Sequence, residues 1–180
     1  MPTVITTSGD ATANSYASVA TATTYLDARL NSSAWTLAAV GDQERAVIEA
    51  SRTLDRLDYT GWRVNATQAL SWPREDAENP DAPYLAATDT LLHFGITIIP
   101  TRLVDATCEL ALEFLRAGTS DVAGALPNAG IITKTVDVLS TTYAEPYLRA
   151  QGLARYPRVA ALIAPLLDGA KTGGLSVVRV

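Results

Sequence analysis

Apolar positions along the chain fall into helical rows separated by short polar breaks, and the broadest of these rows lies between Pro100 and Gly118. Leu103, Thr107, Leu110 and Phe114 form one row, with Val104, Cys108, Ala111 and Leu115 beside it. Pro100 suits a first helical turn, where its missing N–H is no loss, and Gly118 suits the left-handed position past the end. Arg102, Asp105, Glu109, Glu113 and Arg116 fall on the opposite side, so the pattern predicts a core helix with one wet, mostly acidic stripe. A helix this apolar needs at least two covering elements, since one partner would bury only a narrow seam.

Three weaker rows supply the cover. Val19, Ala22, Leu26 and Leu30 predict a helix from Val19 to Leu30, with Asn14, Ser15 and Ser18 as possible N-caps. Val47, Ala50, Leu54 and Leu57 predict a second from Asp42 to Leu57, with Asp42 and Glu44 at its positive end and Arg52 and Arg56 toward its negative end. Val159, Leu162, Ile163 and Leu166 predict a short last helix from Pro157 to Leu167, limited or bent by Pro165. Between the first two, Ala34 to Val40 reads as a turn that packs Trp35 on the core. Thr3 to Thr6 reads as a brief strand or extended arm.

Beyond Gly118 the period changes. Ile131 to Tyr143 is rich in β-branched residues with partial alternation, which predicts a strand or hairpin. Neither of its faces is plainly dry, so Ile131, Lys134, Val136 and Val138 are the residues placed to pair with a neighbouring subunit. The tail 169–174 reads as a glycine-rich tether carrying a β-prone end, Leu175, Val177, Val178, Arg179 and Val180. Such an end either folds back on its own strand or, the favoured reading, docks on a partner as an arm. The fold expected is mainly α: a small helical bundle with a β-hairpin or extended-strand appendage and a flexible C-terminal arm. Residues 1–118 would form the helical core with its N-terminal arm, 119–168 the β-rich loop and final helix, and 169–180 the arm.

Composition narrows the chemistry. A chain of 180 residues with 48% hydrophobic content can bury a real core. No apolar run is long enough to cross a bilayer, and MPTVITTSGD lacks the features of a signal peptide, so neither membrane nor secretion is expected. The net charge of −5 argues against gripping nucleic acid over the whole surface. The one cysteine, Cys108, cannot form an internal disulfide and lies on an apolar face, where a small buried hydrophobe is the plainer reading. His93 is the one histidine and lacks companions for a metal site or a catalytic dyad. Glu75 to Pro83 is acidic without the alternating ligands of a calcium loop. No catalytic residues, metal site or cofactor are expected.

Two tryptophans and two arginines, Trp62, Arg63, Trp72 and Arg74, fall within a dozen or so residues. They could stack bases and hold phosphates. The plainer and favoured reading is that the rings cover the end of the core while the arginines pair with nearby acids.

Four segments carry a resemblance: Ser15-Tyr16-Ala17-Ser18-Val19 leading to Tyr25-Leu26; Ile48-Glu49-Ala50-Ser51-Arg52-Thr53-Leu54-Asp55; Gln68-Ala69-Leu70-Ser71-Trp72-Pro73-Arg74; and Ile99-Pro100 through Glu109-Leu110-Ala111-Leu112. They resemble the head-to-tail connector adaptors of tailed bacteriophages, a group often labelled DnaT-like ssDNA-binding. The Gln-Ala-Leu-Ser-Trp-Pro-Arg string is the most specific part, and the acidic loop between Trp72 and Ile99 is longer than the family pattern. The resemblance implies a non-enzymatic structural adaptor of the virion neck, assembled in the host cytoplasm. It would form a ring with itself, a dodecamer, beneath the portal protein, and would receive a stopper or tail-terminator protein. Double-stranded DNA would pass through the lumen without specific binding, and Asp105, Glu109 and Glu113 are one candidate acidic stripe for that lumen. The alternative is a single-stranded-DNA-binding replication accessory protein.

Overall fold

The computed structural model describes residues 2–82, 92–117, 133–136, 139–142 and 152–169. Its architecture is mainly helical with a two-stranded antiparallel hairpin, as the hydrophobic pattern predicts. In chain order the elements are α1 (Val19–Asp27), α2 (Ser33–Thr36), α3 (Val40–Leu54), β1 (Trp62–Arg63), β2 (Arg74–Glu75), α4 (Thr101–Ala117), β3 (Thr133–Val136), β4 (Leu139–Thr142), a 3-10 turn (Gly152–Arg155), α5 (Pro157–Ile163) and a second 3-10 turn (Ala164–Leu166).

The predicted central helix is α4, and it touches α1, α2, α3 and α5. Leu103, Ala106, Thr107, Cys108, Leu110, Ala111, Leu112 and Phe114 are all buried, with Thr107 returning its hydroxyl to the Leu103 carbonyl at 2.8 Å. From α3 come Val47, Ala50 and Leu54, from α1 Ala22 and Leu26, and from α5 Val159 and Ile163. Burial of this kind contributes about 1.5–3 kcal/mol for each large aliphatic side chain.

Helix boundaries shift from the predicted ones for identifiable reasons. Ser18 caps α1, its hydroxyl accepting from the Thr21 amide at 3.0 Å. The helix stops at Asp27 and not at Leu30, because the Arg29 amide turns back onto the Leu26 carbonyl and Asn31 takes a left-handed φ of 61°. Leu30 is thereby turned out, 86% exposed. The stretch expected to be a turn around Trp35 contains one helical turn, α2, and the buried Trp35 ring donates from Nε1 to Thr23 at 3.1 Å. α3 begins at Val40, so Asp42 sits within its first turn, and it ends at Leu54, three residues short of the expected Leu57. α5 hands over to a 3-10 turn at Pro165, whose ring cannot continue the α-helix.

The N-terminal residues form an extended segment and not a strand. Asn14 holds it by accepting from the Ile5 amide at 2.8 Å and donating to the Thr3 carbonyl at 2.8 Å. At the other end, the chain after α5 is pinned to the segment after α3: the Thr60 amide donates to Leu166 at 3.2 Å and the Asp168 amide to Asp58 at 3.0 Å. In the hairpin, Lys134 faces Thr141 and Val136 faces Leu139 in the register. Ile131, Val138 and the arm Leu175 to Val180 lie outside the described residues.

Because α4 is enclosed by four helices, Leu110→Ala is expected to cost about 2–5 kcal/mol of unfolding free energy, more than most exposed substitutions. Urea denaturation of the two chains would show a lowered midpoint with an unchanged slope.

Candidate functional site

The most specific sequence motif folds into an internal brace. Trp72 is 1% exposed, and its ring meets Tyr59 and Phe94 edge-to-face at centroid distances of 5.7 and 5.5 Å. The bond to Pro73 is cis. Arg74 spends its guanidinium on backbone oxygens, donating to Thr60 at 2.6 Å, Gly61 at 2.5 Å, and Tyr59 and Ser71 at 3.3 Å. Burial lowers the Arg74 pKa from the usual arginine value. Arg63 donates to the Gln68 and Leu70 carbonyls, while Gln68 donates to Leu70 at 2.8 Å and Pro73 at 3.1 Å. The expectation that these arginines pair with acids is therefore corrected. A tightly turned segment leaves carbonyls pointing inward, and buried carbonyls need donors more than the exposed acids need cations.

The brace is tied to α3 through Asp55. This carboxylate accepts from the Ser71 amide at 2.6 Å and from the Tyr16 hydroxyl, and Tyr16 also donates its amide to Ser51 at 2.9 Å. Burial, with Asp55 beside it, raises the Tyr16 hydroxyl well above the ordinary tyrosine range. Gly61 cannot be replaced without movement: its φ is +71° and an added Cβ would lie 2.3 Å from the Glu75 carbonyl. Trp62, in contrast, is 70% exposed and covers nothing. The two tryptophans, expected to share one role, have different ones.

The predicted acidic stripe also divides. Glu109 is 4% exposed and is not on a wet face. It accepts from Arg29 at 2.7 Å and from the Tyr25 hydroxyl at 3.2 Å, with Arg158 at 3.9 Å. The end of α1 and the start of α5 close over this side of α4, which helical periodicity within α4 could not reveal. Glu113 pairs with Arg116 at 2.5 Å, and Arg116 also donates to the Asn31 carbonyl. Asp105 is half-buried, and its pKa is raised by burial and by the nearby Glu109. Burial, with Asp105 and Glu109 close by, pushes the Cys108 thiol up to about 12, so it is not a thiolate at neutral pH.

Glu109, Glu113 and Arg116, but not Asp105 or Cys108, line a groove of about 620 Å³ between the ends of α1 and α4 and the start of α5. Arg29, Arg116, Arg155 and Arg158 line it with Glu109 and Glu113, and Leu30 forms part of its rim. Arg29, Arg155 and Arg158 were not singled out by sequence; each lies at the border of a short helix, and only the tertiary packing gathers them. A second groove of about 840 Å³ runs along α3 between the N-terminal segment, α2 and Phe114, with the exposed Leu37 on its wall. Among the described residues no group of three or more His, Cys, Asp or Glu is placed to hold a metal, and no helix is long and apolar enough to cross a membrane.

A family model described as "Putative DnaT-like ssDNA binding protein" matches residues 1–180. The chain belongs to this family. No curated protein and no solved structure matches it. The match spans the segments that build the brace and both grooves.

Removing the Glu109 carboxylate leaves Arg29 without its ion-pair partner in a site where the arginine is only 12% exposed. Glu109→Ala is expected to cost about 3 kcal/mol, whereas Glu109→Leu combined with Arg29→Met costs much less than the two single losses summed. A double-mutant cycle by denaturation checks this. For Asp105 the sign is opposite: its folded pKa is raised, so its ionisation costs the native state stability as pH rises through the folded value. Asp105→Asn should therefore raise the melting temperature at pH 7, with the gain vanishing below the unfolded aspartate pKa of about 4.

Proposed function

We propose that this chain is a structural adaptor of the phage head-to-tail connector, without enzymatic activity, that forms a ring beneath the portal and joins it to a stopper or tail protein. The observation that carries this reading is the fate of the Gln68 to Arg74 motif. Its tryptophan is buried, and its arginine and glutamine hold backbone carbonyls. A motif spent on rigidity suits a scaffold subunit better than a strand-binding surface, which needs exposed rings and uncommitted cations. The exposed apolar side chains Leu30, Leu37, Val40, Ile96 and Ile98 support the same reading, since they offer contact area to protein neighbours. The net charge of −5 suits a channel through which DNA slides.

The family description favours a second reading, single-stranded-DNA binding. Its best footing is Trp62, exposed beside Arg63. Base stacking on such a ring is worth roughly 1–3 kcal/mol. If the chain binds oligonucleotides in a salt-sensitive way and loses at least about tenfold in affinity on Trp62→Ala, the replication reading replaces the adaptor. Trp72→Ala would not discriminate, because it removes the brace. The adaptor reading expects no such binding and expects the labelled subunit at the virion neck in electron micrographs. Particles that carry no copy of the chain would end it.

A further inference from the structure

Opposite ends of α4 carry opposite charge. Its first turn is met by the acidic loop, where Arg102 is bound by Asp81 through two hydrogen bonds, one of 2.6 Å. Earlier in the same segment Glu75, Asp76 and Glu78 are exposed, with no salt-bridge partner among the described residues. Leu92, Ile96 and Ile98 are exposed on the adjoining segment, which the Glu78–His93 bridge holds against the loop. The last turn of α4 enters the arginine groove, where Arg29 and Arg116 are paired with Glu109 and Glu113, Arg158 stands 70% exposed, and Leu30 projects into solvent. Arg102 and Arg116 are separated by 14 helical steps, roughly 21 Å at 1.5 Å per residue.

Beside exposed apolar side chains, the exposed charges are acidic at one end (Glu75, Asp76, Glu78) and basic at the other (Arg158), and the two ends complement each other. We propose that the acidic loop of one copy seats in the arginine groove of the next, so that Glu75 and Glu78 meet Arg158 and its neighbours while Ile96 or Ile98 covers Leu30. Because the two surfaces differ, the contact is head-to-tail and repeats from copy to copy, the kind that closes into a ring when the rotation permits. This inference rests on the self-assembling reading given above and supplies the residues of its subunit contact. Arg158 is the natural anchor. It is 70% exposed, and its contact with Glu109 is a long one of 3.9 Å, so it can reach outward without leaving Glu109 unpaired. The other α4 carboxylate in the groove, Glu113, is held by Arg116 and leaves Arg158 uncancelled.

The test is sedimentation velocity on the full-length chain over a concentration series, at low and at high salt. The wild type is expected to associate, and added salt to weaken it, because exposed charges are screened over about 10 Å at 0.1 M. R158E and the loop variant E75R/E78R should each weaken association at least about tenfold, and an equimolar mixture of the two should restore it to within about threefold of wild type. Should R158E disturb folding, seen by circular dichroism, the exposed loop variant and its salt dependence decide alone. Unchanged association of both variants, or a wild type that stays monomeric at about 1 mM, overturns the proposed contact. The micrographs of labelled virions are independent of this result: a neck label with unchanged variants removes the contact alone, whereas restored association in the mixture with no virion label removes the adaptor reading alone.

Discussion

A carboxylate on an almost fully enclosed helix must be matched by a cation, and most of the arrangement around α4 follows from that requirement at Glu109. The helix is covered by α1, α2, α3 and α5, which leaves this residue 4% exposed. An ionised carboxylate in such a place costs several kcal/mol unless hydrogen bonds and an opposite charge replace water. Arg29 and the Tyr25 hydroxyl supply both, and burial, with Glu109 beside it, raises the Tyr25 pKa to about 12, so that this hydroxyl stays a donor at neutral pH. To deliver Arg29, α1 must end where it does. Its termination at Asp27 then turns Leu30 outward and opens the groove.

The brace around Trp72 solves a related problem without charge. A loop that folds back twice between Tyr59 and Ala77 buries carbonyls that no helix or long sheet can satisfy. Arg63, Arg74 and Gln68 act as side-chain substitutes for a missing sheet, and the two-residue pairing of β1 with β2 completes the closure. Such donors must be held in one geometry to serve several acceptors, which is why the ring of Trp72 is locked between two other aromatics. The result is a rigid end-piece joined to α3 by Asp55.

How much of this is written in the sequence depends on the range of the interaction. The rows in α1, α3, α4 and α5 are local and periodic, so those helices and their buried faces were legible from spacing alone. The stops were legible where one residue causes them, as at Pro165, and not where tertiary contact does, as at Asp27. Glu109 illustrates the limit most clearly: within α4 it belongs to the polar side, and only the approach of two other helix ends makes that side dry. The Arg63 and Arg74 carbonyl contacts were illegible for the same reason, since no spacing rule records which backbone oxygens a loop leaves inside. The family resemblance rests on the segments that build α1, α3, the brace and α4.

The polarity of α4 bears on how copies would recognise one another. Two identical apolar patches would favour a symmetric dimer, which consumes both surfaces and stops. Unlike ends avoid that outcome, because acidic loop against acidic loop and arginine groove against arginine groove are both repelled. In the proposed contact, charge would therefore select the head-to-tail register before the surfaces meet, and the apolar residues beside each charged surface would hold it once water has been expelled. Ionic contacts of this exposed kind are individually weak. Copies joined in the proposed way would separate and re-form until a closed arrangement, in which every end is occupied, became the one that lasts.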